Sequence, residues 1–237
     1  MPVNTLRNIV IIGAGGTASH LIHPLIAYLG DREYMIHIYD ADTIEQRNLA
    51  RQLFYPHEVG QKKVEALSNR FPGKITPHIE YIGPNNIERT IQEHDTALIC
   101  ADNMFIRRLI NARAKQLANI LVINGGNEQY TCSVQIFLRS RKKNITPALD
   151  FYSPEFEQDD GPDISSLSCA EIAALPNGEQ TVTANNSAAA LMLQALLRAD
   201  MGTYKISPQW TKITCDITGG IVQTSDIRLI GGIDDRS

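Results

Sequence analysis

The feature that most constrains the fold is a short apolar run followed by three glycines near the start of the chain, NIVIIGAGG. Asn8–Ile12 is rich in β-branched residues, which is typical of a strand buried on both faces. After Gly13, Gly15 and Gly16, apolar residues recur with the spacing of one helix face. This arrangement can bring backbone N–H groups and a helix N-terminus against a phosphate. The same glycines could also serve only to turn a strand into a helix, so the pattern leaves both interpretations open.

Strands and helices alternate through the first half of the chain. Apolar runs predict further strands at residues 35–39, 75–82, 96–100 and 120–124, and helical patterns predict helices at 59–70, 86–93 and 105–117. Such alternation predicts an α/β fold with a doubly wound, mostly parallel sheet, whose ligands bind at the carboxyl ends of the strands. Gly13, Asp40 and Asp102 each follow the end of a predicted strand.

The second half of the chain has a different character. Residues 131–138 and 211–224 predict an antiparallel extension of the sheet, and residues 187–199 predict a helix that is either buried or an oligomer interface. A long loop is expected at 140–168, where no clear element is visible. We therefore expect one domain over residues 1–237, with a nucleotide-binding half at 1–125 and a substrate or acceptor half at 126–237.

Composition excludes several classes of function. The net charge of −4 argues against nucleic acid as the main partner, because phosphate backbones require a basic face. No apolar run is long enough to span a membrane, and the first strand begins too early to leave a signal peptide, so a cytoplasmic location is expected. The four cysteines stand apart and form no CxxC pair, so no zinc is expected.

The residues after the strand ends distinguish adenylation from hydride transfer. A glycine turn followed by an acid also fits an NAD-dependent dehydrogenase, in which the acid holds the ribose. Here, however, Asp40 is followed by Arg51 and Lys63, and Asp102 closes a later strand. Activation of a carboxylate by ATP needs cations for the triphosphate and a carboxylate for Mg²⁺. Asp42 is either part of this site or a turn-forming aspartate.

The motifs resemble those of the ThiF/MoeB/HesA family, the adenylating domain of ubiquitin-activating enzymes. The resemblance covers residues 8–113: GAGGTAS matches the glycine motif apart from Ala18, and DADTIEQRNLARQ matches the acidic and arginine motif. Gly60 and Lys63 match the following G-x-x-K, and CADN with the later Arg107 matches C-x-D-N and its arginine.

The resemblance implies a role for each matching residue. Asp102 would hold Mg²⁺ and Asp40 the ribose hydroxyls, while Asn103 would line the adenine side. The residues implied around ATP as a whole are Gly13, Gly15, Gly16, Asp40, Asn48, Arg51, Gln52, Lys63, Asp102 and Asn103. Among these, Arg51, Lys63 and Asp102 are also the expected catalytic residues, and Gln52 is expected to support them.

The departures from the family also matter. The paired CxxC zinc motifs and the N-terminal helix of many members are absent, and a short zinc-less chain resembles the ThiF-like proteins of PRTRC-type operons. Residues 168–171 and 179–187 resemble a Ser-Cys-Ser motif and the stretch after it in those proteins, which makes Cys169 a candidate acceptor, with inert packing as the alternative. The resemblance also implies a homodimer and, as partners, a ubiquitin-like protein and a conjugating-enzyme-like protein.

Taken together, these features predict adenylation of the C-terminal carboxylate of a ubiquitin-like protein with Mg-ATP, followed by transfer to Cys169. The alternatives are adenylation of another carboxylate such as that of a peptide, a silent nucleotide-binding scaffold, and an NAD-dependent dehydrogenase. The presence of Arg51, Lys63 and Asp102 argues against the scaffold.

Overall fold

The computed structural model describes residues 6–152, 180–201 and 211–225 of the 237-residue chain. These residues contain a nine-stranded sheet with the order β3-β2-β1-β4-β5-β6-β8-β9, with β7 paired to β6. The strands are β1 (Asn8–Ile12), β2 (Met35–Tyr39), β3 (Ile75–His78), β4 (Thr96–Ile99), β5 (Ile120–Asn127), β6 (Thr131–Ser140), β7 (Lys143–Asn144), β8 (Lys212–Asp216) and β9 (Ile221–Ser225).

In the part of the chain that the structure describes, five helices cover the two faces of the sheet. They are α1 (Gly16–Leu29), α2 (Lys63–Arg70), α3 (Ile87–Thr90), α4 (Met104–Gln116) and α5 (Val182–Asp200). Three short 3-10 turns lie at Gln46–Ala50, Pro56–Glu58 and Leu149–Tyr152. Among the described residues, no helix has both the length and the apolar character that crossing a membrane requires.

The first five strands form the predicted parallel sheet. β1 pairs in parallel with β2 and β4, β3 joins β2, and β5 joins β4. Alternate residues of β1 face opposite sides: Ile9 and Ile11 pack with α1, α2 and α5, whereas Val10 and Ile12 pack with α3 and α4. Both faces are therefore buried, which explains why the strand is continuously apolar.

From β5 onward the sheet becomes antiparallel, as predicted for the C-terminal extension. β6 pairs with β5, β8 with β6, and β9 with β8. β5 extends to Asn127, so the expected boundary between residues 125 and 126 falls inside a strand. The two halves of the chain thus share one sheet.

Several predicted boundaries were wrong by a few residues, for local reasons. The helix predicted at 59–70 begins at Lys63, because the chain first makes a 3-10 turn and Gly60 adopts a φ of +91°. The strand predicted at 75–82 ends at His78, after which Tyr81 turns toward Asp42. Of the loop expected at 140–168, the described part contains β7 and a 3-10 turn, and the rest lies outside the described residues.

The helix predicted at 187–199 is longer than expected and has a clear inner face. α5 packs against α1, β5 and β6, and its buried residues include Ala188, Met192 and Leu196. A Cβ atom on Gly125 of β5 would lie 2.4 Å from Sδ of Met192, so the helix and the strand are in close contact. The buried-helix interpretation therefore accounts for this side of α5, while Leu197 on the other side is exposed.

Candidate active site

The glycine turn lies between the carboxyl ends of β2 and β4. Gly13 has a φ of +91°, and its N–H donates to the carbonyl of Tyr39 at 2.9 Å. A Cβ atom at Gly13 would lie 2.9 Å from the backbone nitrogen of Ala101, so both the conformation and the space require glycine. Gly15 precedes α1 without any side-chain cap, so the first N–H groups of this helix remain available to an anion.

Asp40 joins the end of β2 to the glycine turn. Its buried carboxylate accepts hydrogen bonds from the N–H of Ala14 and the N–H of Asp42, each at 2.7 Å. Burial and the charge of Asp42 raise the pKa of Asp40, while Lys63 and the two backbone donors act in the opposite direction. Because each carboxylate oxygen has a second lone pair, Asp40 retains capacity for hydroxyl donors.

Lys63 is paired with Asp42 at the start of α2. Its ammonium group is buried and lies 2.7 Å from Oδ2 of Asp42, and the Tyr81 hydroxyl donates to Oδ1 of the same carboxylate at 2.5 Å. Burial alone would raise the pKa of Asp42, but Lys63 and Tyr81 outweigh it and hold that pKa below its usual value. Asp42 is therefore more than a turn-forming residue, because it anchors the lysine predicted to meet the phosphates.

Arg51 and Gln52 follow the 3-10 turn at Gln46–Ala50, and the side chain of Gln52 faces the glycine turn. The side-chain nitrogen of Gln52 lies 3.7 Å from where a Cβ atom on Gly15 would be. Nε of Arg51 and Oε1 of Gln52 are buried and have no hydrogen-bond partner among the described residues. Asn48 caps this turn, since its Oδ1 accepts from the N–H of Glu45 at 2.9 Å.

Asp102 and Asn103 lie at the carboxyl end of β4. The exposed carboxylate of Asp102 accepts a hydrogen bond from Nε2 of Gln180 at 3.2 Å. Asn103 is the N-cap of α4, since its Oδ1 accepts from the N–H of Ile106 at 3.1 Å. Arg107 donates to the carbonyls of Ala101 and Gly125, and so ties the ends of β4 and β5 together.

Sequence reasoning missed the part of the site contributed by α5. Asn185 is buried, and its side-chain nitrogen donates to the carbonyl of Arg51 at 3.0 Å. The available signal was the pair Asn185 and Asn186, which lies within the stretch 179–187 that resembles the PRTRC-type proteins but was given no role at the site.

Of the three described cysteines, Cys132 and Cys215 lie in β6 and β8, and Cys100 follows β4 next to the glycine turn. Cys169 lies outside the described residues. Cys132 and Cys215 face each other across β6 and β8, and burial raises the pKa of the Cys132 thiol to about 12. Burial also raises the pKa of Cys100 to about 12, although nearby Arg107 acts against this shift. Cys100 and Cys132 are therefore thiols at neutral pH, as expected for packing residues.

The residues present fit a nucleotide and a magnesium ion. Buried polar atoms normally have partners, so the unpaired atoms of Arg51 and Gln52 indicate a place that a ligand completes. Mg²⁺ is usually held by one or two carboxylates together with phosphates and waters, a requirement that the exposed Asp102 can meet. The described residues contain no cluster of three or more His, Cys, Asp or Glu that could hold a metal by itself.

A mostly parallel, doubly wound sheet with a glycine turn between its first strand and first helix defines a Rossmann-like α/β protein. Within this class the chain belongs to the ThiF family, whose sequence model matches residues 4–237.

Curated relatives match part of the chain. It is 36% identical over 115 residues to the adenylyltransferase and sulfurtransferase UBA4 of Yarrowia lipolytica, covering 46% of this chain and 28% of that protein. It is 27% identical over 172 residues to the Nedd8-activating enzyme E1 catalytic subunit of Drosophila melanogaster, covering 65% of this chain and 37% of that subunit. The chain thus spans well under half the length of these relatives.

The fold is also similar to that of a solved structure, E. coli MccB with ATP. The TM-score is 0.70 at 19% identity, and the match covers 94% of this chain and 64% of MccB. At this identity the likeness establishes the fold and leaves the activity open.

Proposed function

We propose that this protein adenylates the C-terminal carboxylate of a ubiquitin-like protein with Mg-ATP. The observation that supports the proposal is that Gln52 and the chain of contacts from Ala14 through Asp40 and Asp42 to Lys63 lie at the glycine turn, next to the Arg51 backbone that Asn185 holds. An enzyme that transfers hydride has no need of two cations at these positions. Membership of the ThiF family and the names of the two curated relatives support the same reaction class.

In this proposal each side chain has a separate task. The N–H groups at the start of α1 receive phosphate oxygens, and Asp40 accepts the ribose hydroxyls. Arg51 and Lys63 compensate the negative charge that builds up as the substrate carboxylate attacks the α-phosphorus and pyrophosphate leaves. Asp102 would hold Mg²⁺, which supplies further charge compensation to the triphosphate. Lys63 must exchange its ion pair with Asp42, at least in part, for a phosphate oxygen.

Isothermal titration calorimetry with ATP and NAD tests the nucleotide. We expect ATP with Mg²⁺ to bind and NAD to give no heat of binding, because the cations suit a triphosphate. ATP–pyrophosphate exchange should then appear when a ubiquitin-like protein, identified by mass spectrometry of host proteins captured on this chain, is added. Tight NAD binding without any response to ATP would contradict the proposal.

We further propose that the activated carboxylate passes to Cys169, in a homodimer that also engages a conjugating-enzyme-like protein. The Cys169 thiolate would attack the carbonyl carbon of the acyl-adenylate, a thioester would form, and AMP would leave. Support for this step is the resemblance of residues 168–171 to the Ser-Cys-Ser motif. The homodimer rests on family resemblance.

Replacing Cys169 with alanine separates the two steps. Cys169→Ala should retain ATP–pyrophosphate exchange but lose the reductant-sensitive adduct with the ubiquitin-like protein, as read by non-reducing gel electrophoresis. Cys132→Ala is the control, since Cys132 is buried in β6 and should affect only stability. An adduct that persists in Cys169→Ala would show that the enzyme uses another acceptor.

A further inference from the structure

Asn185 connects three segments that are far apart in the sequence. It lies in the first turns of α5 and its side chain is fully buried, with 0% exposure. Its Nδ2 donates to the carbonyl of Arg51 at 3.0 Å, and its Oδ1 accepts from Nδ2 of Asn127 at 2.8 Å. One amide side chain thus contacts both the arginine segment and the end of β5.

The same amide group packs directly against the start of α1. A Cβ atom on Gly16 would lie 2.3 Å from Cγ, Nδ2 and Oδ1 of Asn185, which is far inside the van der Waals distance. No positive φ is recorded at Gly16, so contact with Asn185 is what restricts this position to glycine. The N-terminal ends of α1 and α5 are therefore in direct contact through Gly16 and Asn185.

The chemistry of the contact matches an asparagine. A backbone carbonyl needs a donor and the Asn127 amide nitrogen needs an acceptor, and a side-chain amide supplies both. An aspartate of the same size would lose the donor and place a negative charge against the Arg51 carbonyl. An alanine would remove the acceptor of the Asn127 amide and one of the donors to the Arg51 carbonyl, which also accepts from His20, and a partly buried polar group that loses a partner is destabilised.

We propose that Asn185 is a positioning residue, which fixes the backbone of Arg51 against the start of α1 and so aligns the arginine with the glycine turn. The effect of Asn185 on catalysis rests on the proposed adenylation. The positioning of the Arg51 backbone by Asn185 is independent of that proposal. Because the contact acts on the Arg51 carbonyl, losing it should loosen the segment around Arg51 before it affects the rest of the fold.

Hydrogen exchange without nucleotide tests the positioning. In Asn185→Asp and Asn185→Ala, backbone amides of residues 46–53 should exchange about tenfold faster than in the unmodified protein, while those of β4 keep their rate. Thr183→Ala, an exposed residue in the same turn of α5, is the matched control and should behave as the unmodified protein. The proposal would be overturned if the amides of residues 46–53 in Asn185→Asp exchanged at the rate of the unmodified protein. It would also be overturned if hydrogen exchange became faster by the same factor in residues 46–53 and in β4.

The catalytic consequence has its own readout. In ATP–pyrophosphate exchange, Asn185→Asp should raise the KM for ATP about tenfold with a smaller change in kcat, because the triphosphate contact is misaligned in the ground state as well. If the unmodified protein shows no ATP–pyrophosphate exchange, the proposed adenylation fails. The comparison of hydrogen-exchange rates still decides the role of Asn185. If the unmodified protein is active and Asn185→Asp matches Thr183→Ala in KM and in hydrogen exchange, the positioning role fails.

Discussion

Asp102→Ala should lower ATP–pyrophosphate exchange by about 100-fold or more while leaving the fold intact. A bound metal ion is worth several kcal/mol of transition-state stabilisation, and each 1.36 kcal/mol corresponds to a tenfold change in rate. The carboxylate is exposed at the end of β4 and accepts a hydrogen bond from Gln180, so its removal takes nothing from the core. Exchange assays over a range of Mg²⁺ concentrations measure the loss, and the thermal unfolding midpoint checks the fold.

Asp150→Ala is the matched control for Asp102. Asp150 pairs with Lys115 on α4, away from the strand ends, so its removal deletes a carboxylate without touching the site. The control should exchange pyrophosphate at the normal rate and show the same dependence on Mg²⁺ as the unmodified protein. If Asp102→Ala also exchanged at the normal rate, the metal would have to be held elsewhere.

Gly13→Ala should destabilise the protein by roughly 3 kcal/mol and weaken ATP binding. The left-handed conformation costs a side chain about 1–2 kcal/mol, and forcing a methyl group into a filled space costs about 1–3 kcal/mol more. At Gly13 both costs apply, because φ is +91° and the new Cβ atom would lie 2.9 Å from the Ala101 backbone. Urea titration gives the free energy of unfolding, and calorimetry with ATP gives the affinity.

Gly60→Ala separates the two costs. Gly60 has the same φ of +91°, but no atom lies within 4 Å of a Cβ atom placed there. Its substitution should therefore lower the free energy of unfolding by only about 1–2 kcal/mol. Equal losses for Gly13→Ala and Gly60→Ala would mean that the contact with Ala101 relaxes without cost.

The sequence predicted the parallel sheet, and the strand-end positions of its candidate site acids, because both follow local rules. β1 is buried on both faces and reads as an unbroken apolar run, and Asp40 and Asp102 come shortly after the ends of β2 and β4. Strand order brings these positions to one edge without any knowledge of side-chain contacts. The glycine at position 13 is explained by the local backbone alone, because Gly13 adopts a positive φ.

The sequence could not show which polar groups pair inside the site. The ion pair between Asp42 and Lys63 joins residues that are 21 positions apart in the sequence. The hydrogen bond from Asn185 to the Arg51 carbonyl joins residues that are 134 positions apart. Helix ends were missed for a related reason: the start of α2 is set by a 3-10 turn and by Gly60, which the apolar periodicity does not report. Cys169 stays a prediction, because it lies outside the described residues.

The packing of α5 on α1 also means that the fold is completed late in synthesis. The ribosome delivers the glycine turn and the acidic motif early and α5 late, and contacts of such long sequence separation form slowly. A nascent chain in which α5 has not yet been synthesised already contains Arg51, Lys63 and Asp102. The faces of α1, β5 and β6 that α5 covers in the folded protein are then still exposed. The segment around Arg51 is thus made long before the helix whose Asn185 contacts it, and the apolar faces of α1, β5 and β6 stay exposed until α5 docks.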